Sequence, residues 1–328
     1  MQMTRALFEA FAVDELEPPY NTAIAKIHYP AQYSGSFAER NTGALPADDA
    51  QAPFPVVIFL PGINIDPFVY GWLAQRLARA GIITVTYQMV TEEMPGYLGV
   101  TPGISLDALR PDSFGQKPSA IALAPLMDML RRLNETHALL AGKLDLDHIA
   151  LGGHSAGGTI ALINANRDWL PGLCAVFSYG AHTGASTLLG WPEETLLPVN
   201  AGIPVLLAGG DQDGCIAESA HRYGSDANSS TLRIEQTFDR SVADNNGDNL
   251  LVLLQQANHF AMCFPEDGSS GRGYLEKEEN AEGVRELLGQ IITHFLGIHL
   301  LAENDGHREQ LQQLLQNSSP ARLGWRSR

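Results

Sequence analysis

The stretch Gly153-His154-Ser155-Ala156-Gly157 places a serine with a glycine two residues away on either side. The apolar run 148–152 before it reads as a buried strand, and the apolar run 158–165 after it has helical character. A serine at a strand-to-helix turn, flanked in this way, is the nucleophile-elbow pattern. Such a turn holds its serine in a strained backbone conformation, so neighbours without a Cβ are needed where strand and helix nearly touch. The hydroxyl then stands clear of the sheet edge, above the positive end of the following helix. Without the strand and helix, the same five residues would be only a glycine-rich turn.

A serine hydroxyl is a poor nucleophile at neutral pH, so a base must take its proton during attack. His259, in Ala257-Asn258-His259-Phe260, directly follows the last apolar strand-like run, where a loop can reach back over the sheet edge. The other histidines have duller expectations. His154 sits in the elbow turned from the site, His148 starts a strand, and His294 and His299 belong to a late helix. His182, after a central strand, is the competitor. The base in turn needs an acid to fix its tautomer. Gly210-Asp211-Gln212-Asp213-Gly214 follows a buried strand and offers two carboxylates. Asp211 has an alternative role in hydrogen-bonding its own loop. A developing oxyanion needs backbone N–H donors, and the residue after the nucleophile, Ala156, supplies one.

The elements that must position these groups follow in order. Residues 1–19 read as an acidic lead-in with one short helix, 22–30 as an outer strand of alternating polarity, and 31–53 as a loop. Residues 55–60 are continuous and β-branched, as in a strand covered on both faces. Pro61-Gly62-Ile63-Asn64 turns the chain into a helix over 67–80, and 82–87 is a second buried strand. Residues 91–118, punctuated by Pro95, Gly96, Gly99, Pro102, Gly103, Pro111, Gly115 and Pro118, lack periodicity and read as a lid-like loop. A helix over 120–133 leads to the elbow. Strands follow at 173–178 and 203–208, then a polar surface insertion over 223–249, and the last strand at 250–255. Helices over 281–300 and 307–316 precede a basic tail. This alternation predicts an α/β fold, with a mostly parallel central sheet and helices on both faces. It divides into 1–54 (lead-in and outer strands), 55–300 (catalytic domain) and 301–328 (helix and tail).

Composition bounds the rest. In 328 residues, 45% are hydrophobic and 18% charged, enough apolar material for a large core. A net charge of −16 argues against nucleic acid or an anionic membrane as partner. Cys174, Cys215 and Cys263 fit no metal spacing and no disulfide framework, although a bridge between Cys215 and Cys263 is conceivable. The N-terminal apolar stretch is short and broken by Glu9, unlike a signal peptide, and no window approaches a membrane span. A cytoplasmic location is the expectation. No P-loop, dinucleotide fingerprint or Cys/His cluster is present in the sequence, so no cofactor and no metal are implied.

From about residue 55 to 300 the chain resembles the α/β-hydrolase superfamily. The likeness rests on the strand after Pro55, the Gly-His-Ser-Ala-Gly elbow, Gly-Gly-Asp-Gln-Asp and Asn-His-Phe. The Pro-Gly-Ile-Asn turn and Gly-His-Ser-Ala-Gly-Gly are most similar to its serine esterase branch. That branch includes dienelactone-hydrolase-like enzymes, platelet-activating-factor acetylhydrolases, cutinase-like polyester hydrolases and chlorophyllases. The resemblance implies a triad of Ser155, Asp213 and His259, Asp213 matching the family's Gly-x-x-Asp spacing from Gly210. It implies Ile63 as the second oxyanion donor, with Gly62 giving the backbone room. Gly62, Phe68, Tyr97, Phe260 and Met262 are the expected substrate-binding residues. The implied activity is hydrolysis of a small hydrophobic ester through an acyl-enzyme, with a chlorophyllase-like reaction as its narrowest form. Alternatives on the same fold are an amidase or peptidase, a polyester or lipid-ester hydrolase, and a non-catalytic binding protein.

Overall fold

A computed structural model describes residues 2–94, 96–200, 202–226, 228–275, 282–302, 304–317 and 323–328. Among these, ten strands form one sheet: β1 (Thr4–Ala12), β2 (Thr22–Pro30), β3 (Phe54–Leu60), β4 (Ile83–Met94), β5 (Tyr97–Thr101), β6 (Leu144–His154), β7 (Leu173–Tyr179), β8 (Val205–Gly210), β9 (Leu250–Leu254) and β10 (Leu323–Ser327). The α-helices are α1 (Phe37–Thr42), α2 (Gly71–Arg79), α3 (Leu123–Thr136), α4 (Ala156–Ile163), α5 (Gly214–Glu218), α6 (Leu232–Arg240), α7 (Glu282–Leu300) and α8 (Asp305–Asn317). None of the described helices is long and apolar enough to cross a membrane.

The strand order is β1-β2-β4-β3-β6-β7-β8-β9-β10, with β5 paired to β4. From β4 to β9 the pairing is parallel, while β1, β2, β5 and β10 join antiparallel. The protein is therefore a mixed α/β fold with a mostly parallel sheet. Central strands are apolar on both faces because both are covered. In β3, Val56, Ile58 and Leu60 join one buried cluster with α3, α4 and α6, while Val57 and Phe59 join a second with α2 and α7. The chain leaves β3 for β4 on one side and later returns to β6 on the other. That reversal marks the carboxyl ends of β3 and β6 as the kind of place where open α/β sheets bind ligands.

Five expectations need correction. Within 31–53, expected to be a loop, Phe37–Thr42 form α1, capped by the Ser36 side chain on the Glu39 amide. Residues 4–12 are a strand, not a helix, because they pair along their whole length with β2. The last strand is not β9: part of the expected tail, β10, pairs with it antiparallel. Residues 91–94 and 97–101 are no irregular loop, since β4 runs on to Met94 and pairs antiparallel with β5, the two making a hairpin. Pro95, counted in that expected loop, and Ala281, counted in the late helix, lie outside the described residues. Finally, 223–249 is more than a surface insertion. It contains α6, whose Ile234, Thr237 and Phe238 are buried against the sheet. Few apolar residues among many polar ones concealed that helix from sequence patterning. Phe238→Ala should therefore cost about 3–5 kcal/mol of folding stability, as buried aromatic truncations do. A change within about 0.5 kcal/mol in chemical denaturation, typical of surface positions, would return 223–249 to the surface.

Candidate active site

Ser155 sits between the end of β6 and the start of α4, with φ 55° and ψ −129°. A non-glycine residue held there costs of order 1–3 kcal/mol and persists only where its surroundings enforce it. The enforcement is contact. A Cβ at Gly153 would overlap the Gly157 carbonyl, and one at Gly157 would overlap the carbonyls of Leu60 and Pro61. The Ser155 amide also donates to the Tyr179 carbonyl at 3.0 Å, tying the elbow to the end of β7.

Asp213 follows β8 and caps the N-terminus of α5, where its Oδ1 accepts the Ile216 amide at 2.8 Å. Its Oδ2 accepts from His259 Nδ1 at 2.8 Å. Both groups are buried, Asp213 at 0% and His259 at 4% exposure. A carboxylate so enclosed is tolerated because its oxygens meet donors. Asp211 is exposed and does something else: its Oδ1 accepts the Gln256 amide at 2.8 Å and braces the loop after β9.

His259 opens a short 3-10 turn, His259–Met262, capped by the Asn258 side chain on the Phe260 amide at 2.8 Å. Two buried donors hold the turn by its carbonyls. Tyr179 Oη donates to Asn258 O at 2.7 Å, and His154 Nε2 donates to His259 O at 2.9 Å. Gly180, the residue after the carbonyl that receives Ser155, lies directly against the pair. A Cβ there would stand 3.0 Å from His259 Nδ1 and 3.1 Å from Asp213 Oδ2. The elbow, the imidazole and the carboxylate thus converge at the carboxyl ends of β6, β7 and β8. His182 is placed otherwise. Its Nδ1 accepts the Gly184 amide at 3.0 Å, its ring packs on Tyr223, and no described carboxylate bonds it. Burial, then the charge of Arg233, pulls its pKa down to about 3.

Beside Ser155 lies the turn after β3. A Cβ at Gly62 would stand 3.3 Å from that of Ser155. The amides of Ile63 and Ala156 donate to no acceptor among the described residues. Asn64, at φ 57°, anchors the turn to the hairpin: its amide donates to Val100 O at 2.8 Å. Its side chain accepts from the Val100 amide at 3.1 Å and donates to Glu93 Oε2 at 2.8 Å.

The expected substrate wall is not gathered in one place. Gly62 is at the serine. Phe260 and Met262 are buried in the core beneath, their turn docked on α7, with the Met262 carbonyl accepting the Trp72 indole N–H at 2.9 Å. Phe68 is exposed in a groove with Phe8, Ile24 and Lys26, and Tyr97 is exposed on the hairpin. Sequence reasoning missed the segment that does cross the site. The Phe264 amide donates to Val69 O, Gly271 passes the carbonyl of Ile63, and Leu275 lies over Gly214. An ion pair between Arg272 and Glu218 ties this segment to α5.

Cys215 and Cys263 are both free thiols, so the conceivable bridge does not form. Cys215 approaches the acid and base instead: Asp213, Cys215 and His259 hold ligand-type atoms within 4.8 Å of one another. Comparison with family models finds no match, and no curated protein matches the chain.

Gly180→Ala is expected to push the pair apart and remove the downfield imidazole proton signal that a buried Nδ1–H to carboxylate bond produces. Gly142→Ala, also at positive φ but facing open space, should keep the signal and lose only stability. A signal untouched by Gly180→Ala would contradict this placement of the ring.

Proposed function

We propose that the chain is a serine carboxylic-ester hydrolase of the α/β-hydrolase type. The observation that carries the reading is the buried Asp213–His259 pair lying over the residue that follows the Ser155 anchor point. The strand order supports it as well, since the three groups leave the sheet in the order Ser, Asp, His after β6, β8 and β9.

In this mechanism the carboxylate of Asp213 keeps the proton of His259 on Nδ1, leaving Nε2 as the base. As the Ser155 oxygen attacks the ester carbonyl, its proton passes to Nε2 and the imidazolium is stabilised by Asp213. Negative charge moves to the former carbonyl oxygen, and the amides of Ile63 and Ala156 are the donors for it. One such donor is worth about 3 kcal/mol in the transition state. Collapse expels the alcohol, which takes the proton from His259. Water then repeats the sequence on the acyl-enzyme and restores Ser155. The exposed Tyr97 and Leu98 on the hairpin anchored to Asn64 support an apolar acyl or alcohol group near the entrance.

An alkyl fluorophosphonate should label Ser155 and stop hydrolysis of short p-nitrophenyl esters, with the matched anilides turned over far more slowly. Full activity in Ser155→Ala, or labelling at another residue, would end the proposal. Asp213→Asn should lower kcat roughly 10⁴-fold, the scale seen when a triad acid becomes an amide. Asp211→Asn should lower it far less, and the reverse ranking would move the acid to Asp211.

A further inference from the structure

His154 was expected to turn from the site. It turns inward, fully buried, and its ring lies 4.7 Å from that of His259. Its hydrogen bonds fix the tautomer of the neutral ring. A carbonyl oxygen only accepts, so the contact from Nε2 to His259 O at 2.9 Å requires a proton on Nε2. In a neutral ring Nδ1 is then an acceptor, and the partner 2.9 Å away is Tyr70 Oη. That hydroxyl accepts the Gly62 amide at 3.0 Å and so has its own proton to give. The direction runs one way: Gly62 N–H to Tyr70 Oη, Tyr70 O–H to His154 Nδ1, and His154 Nε2–H to His259 O.

Charge agrees with this direction. Burial, with the charge of His259 opposite, holds His154 well below the ordinary imidazole range, and burial raises the Tyr70 phenol well above its own. Among the described residues the titratable groups facing His154 are Tyr70, His259, Tyr179, whose ring lies 6.1 Å away, and Cys263, whose Sγ lies 4.0 Å from Nδ1 and whose thiol burial also pushes up. Cys263 also faces Tyr70 and, after burial, raises its phenol further.

We infer that Tyr70 and His154 are positioning residues that couple the oxyanion turn to the base; this rests on the hydrolase reading above. The peptide bearing the Ile63 amide is clamped between two fixed neighbours. On one side Tyr70 holds the Gly62 amide, and on the other Val100 holds the Asn64 amide. The Ile63 N–H therefore keeps its direction through the reaction. The same chain ends on the carbonyl of His259, so donor and base are set in one frame. An oxyanion donor acts through such preorganisation, and a small misplacement is enough to weaken it.

The test compares Tyr70→Phe, His154→Leu and His154→Gln with the wild type and with Tyr29→Phe. Tyr29 is a buried tyrosine whose hydroxyl donates to Leu45 O in another part of the core. Active sites are counted by fluorophosphonate titration, so unfolded protein drops out of kcat. Tyr70→Phe should lower kcat roughly ten- to hundredfold with KM little changed, a fraction of the effect of deleting a whole donor. The Ki of a trifluoromethyl ketone analogue should rise by the same factor. His154→Gln, which can donate and accept at once, should recover part of the loss in His154→Leu, and Tyr29→Phe should match wild type per site. A labelled wild type whose Tyr70→Phe and His154→Leu variants keep kcat and Ki overturns the positioning role alone. A wild type that fluorophosphonate does not label overturns the hydrolase reading and this role with it.

Discussion

The first turn of α4 lies so close to the ends of β3 and β6 that no side chain fits at Gly153 or Gly157. Most of the site geometry follows from that close approach. It holds Ser155 in a strained conformation, places the Ala156 amide beside it, and brings the Gly62–Asn64 turn alongside. Strain of this kind needs a scaffold that cannot relax. The parallel core supplies it, with β3 and β8 buried along their whole length and an apolar cluster on either face.

Around that point the acid and the loop of the base are held by specific hydrogen bonds. Asp213 spends one oxygen on the amide of Ile216 and the other on His259. The loop carrying His259 is gripped at two consecutive carbonyls by Tyr179 and His154. Bonds of this kind are expensive to leave unmade in a buried setting, which favours one arrangement over its neighbours. The amides of Ile63 and Ala156, which donate to no acceptor among the described residues, are the donors for charge that forms only during the proposed reaction.

What could be read from the sequence was what leaves a local trace. Glycines spaced about a serine, continuous apolar strands such as 55–60 and 205–208, and a histidine just past the last parallel strand each carry their physical reason in the residues themselves. Contacts between distant segments leave no such trace. Tyr70, His154 and His259 are far apart in the chain, and only the fold shows that they form one run of hydrogen bonds. The burial of Phe260 and Met262 was hidden for a related reason: apolar side chains suit a pocket and a core equally, and these two pack in the core with α7. The edge strands β1 and β10 were also hidden, because exposed edges need no continuous hydrophobic pattern.

The central claim is that an acyl group passes through the oxygen of Ser155. Acid quenching during turnover of p-nitrophenyl acetate, followed by intact-mass and peptide analysis, tests it most directly. The account predicts a mass increase of one acetyl group located on the peptide containing Ser155, accumulating further in variants slow to deacylate. Continued hydrolysis with no acyl group on that peptide, or with the group on a thiol such as Cys215, would contradict it.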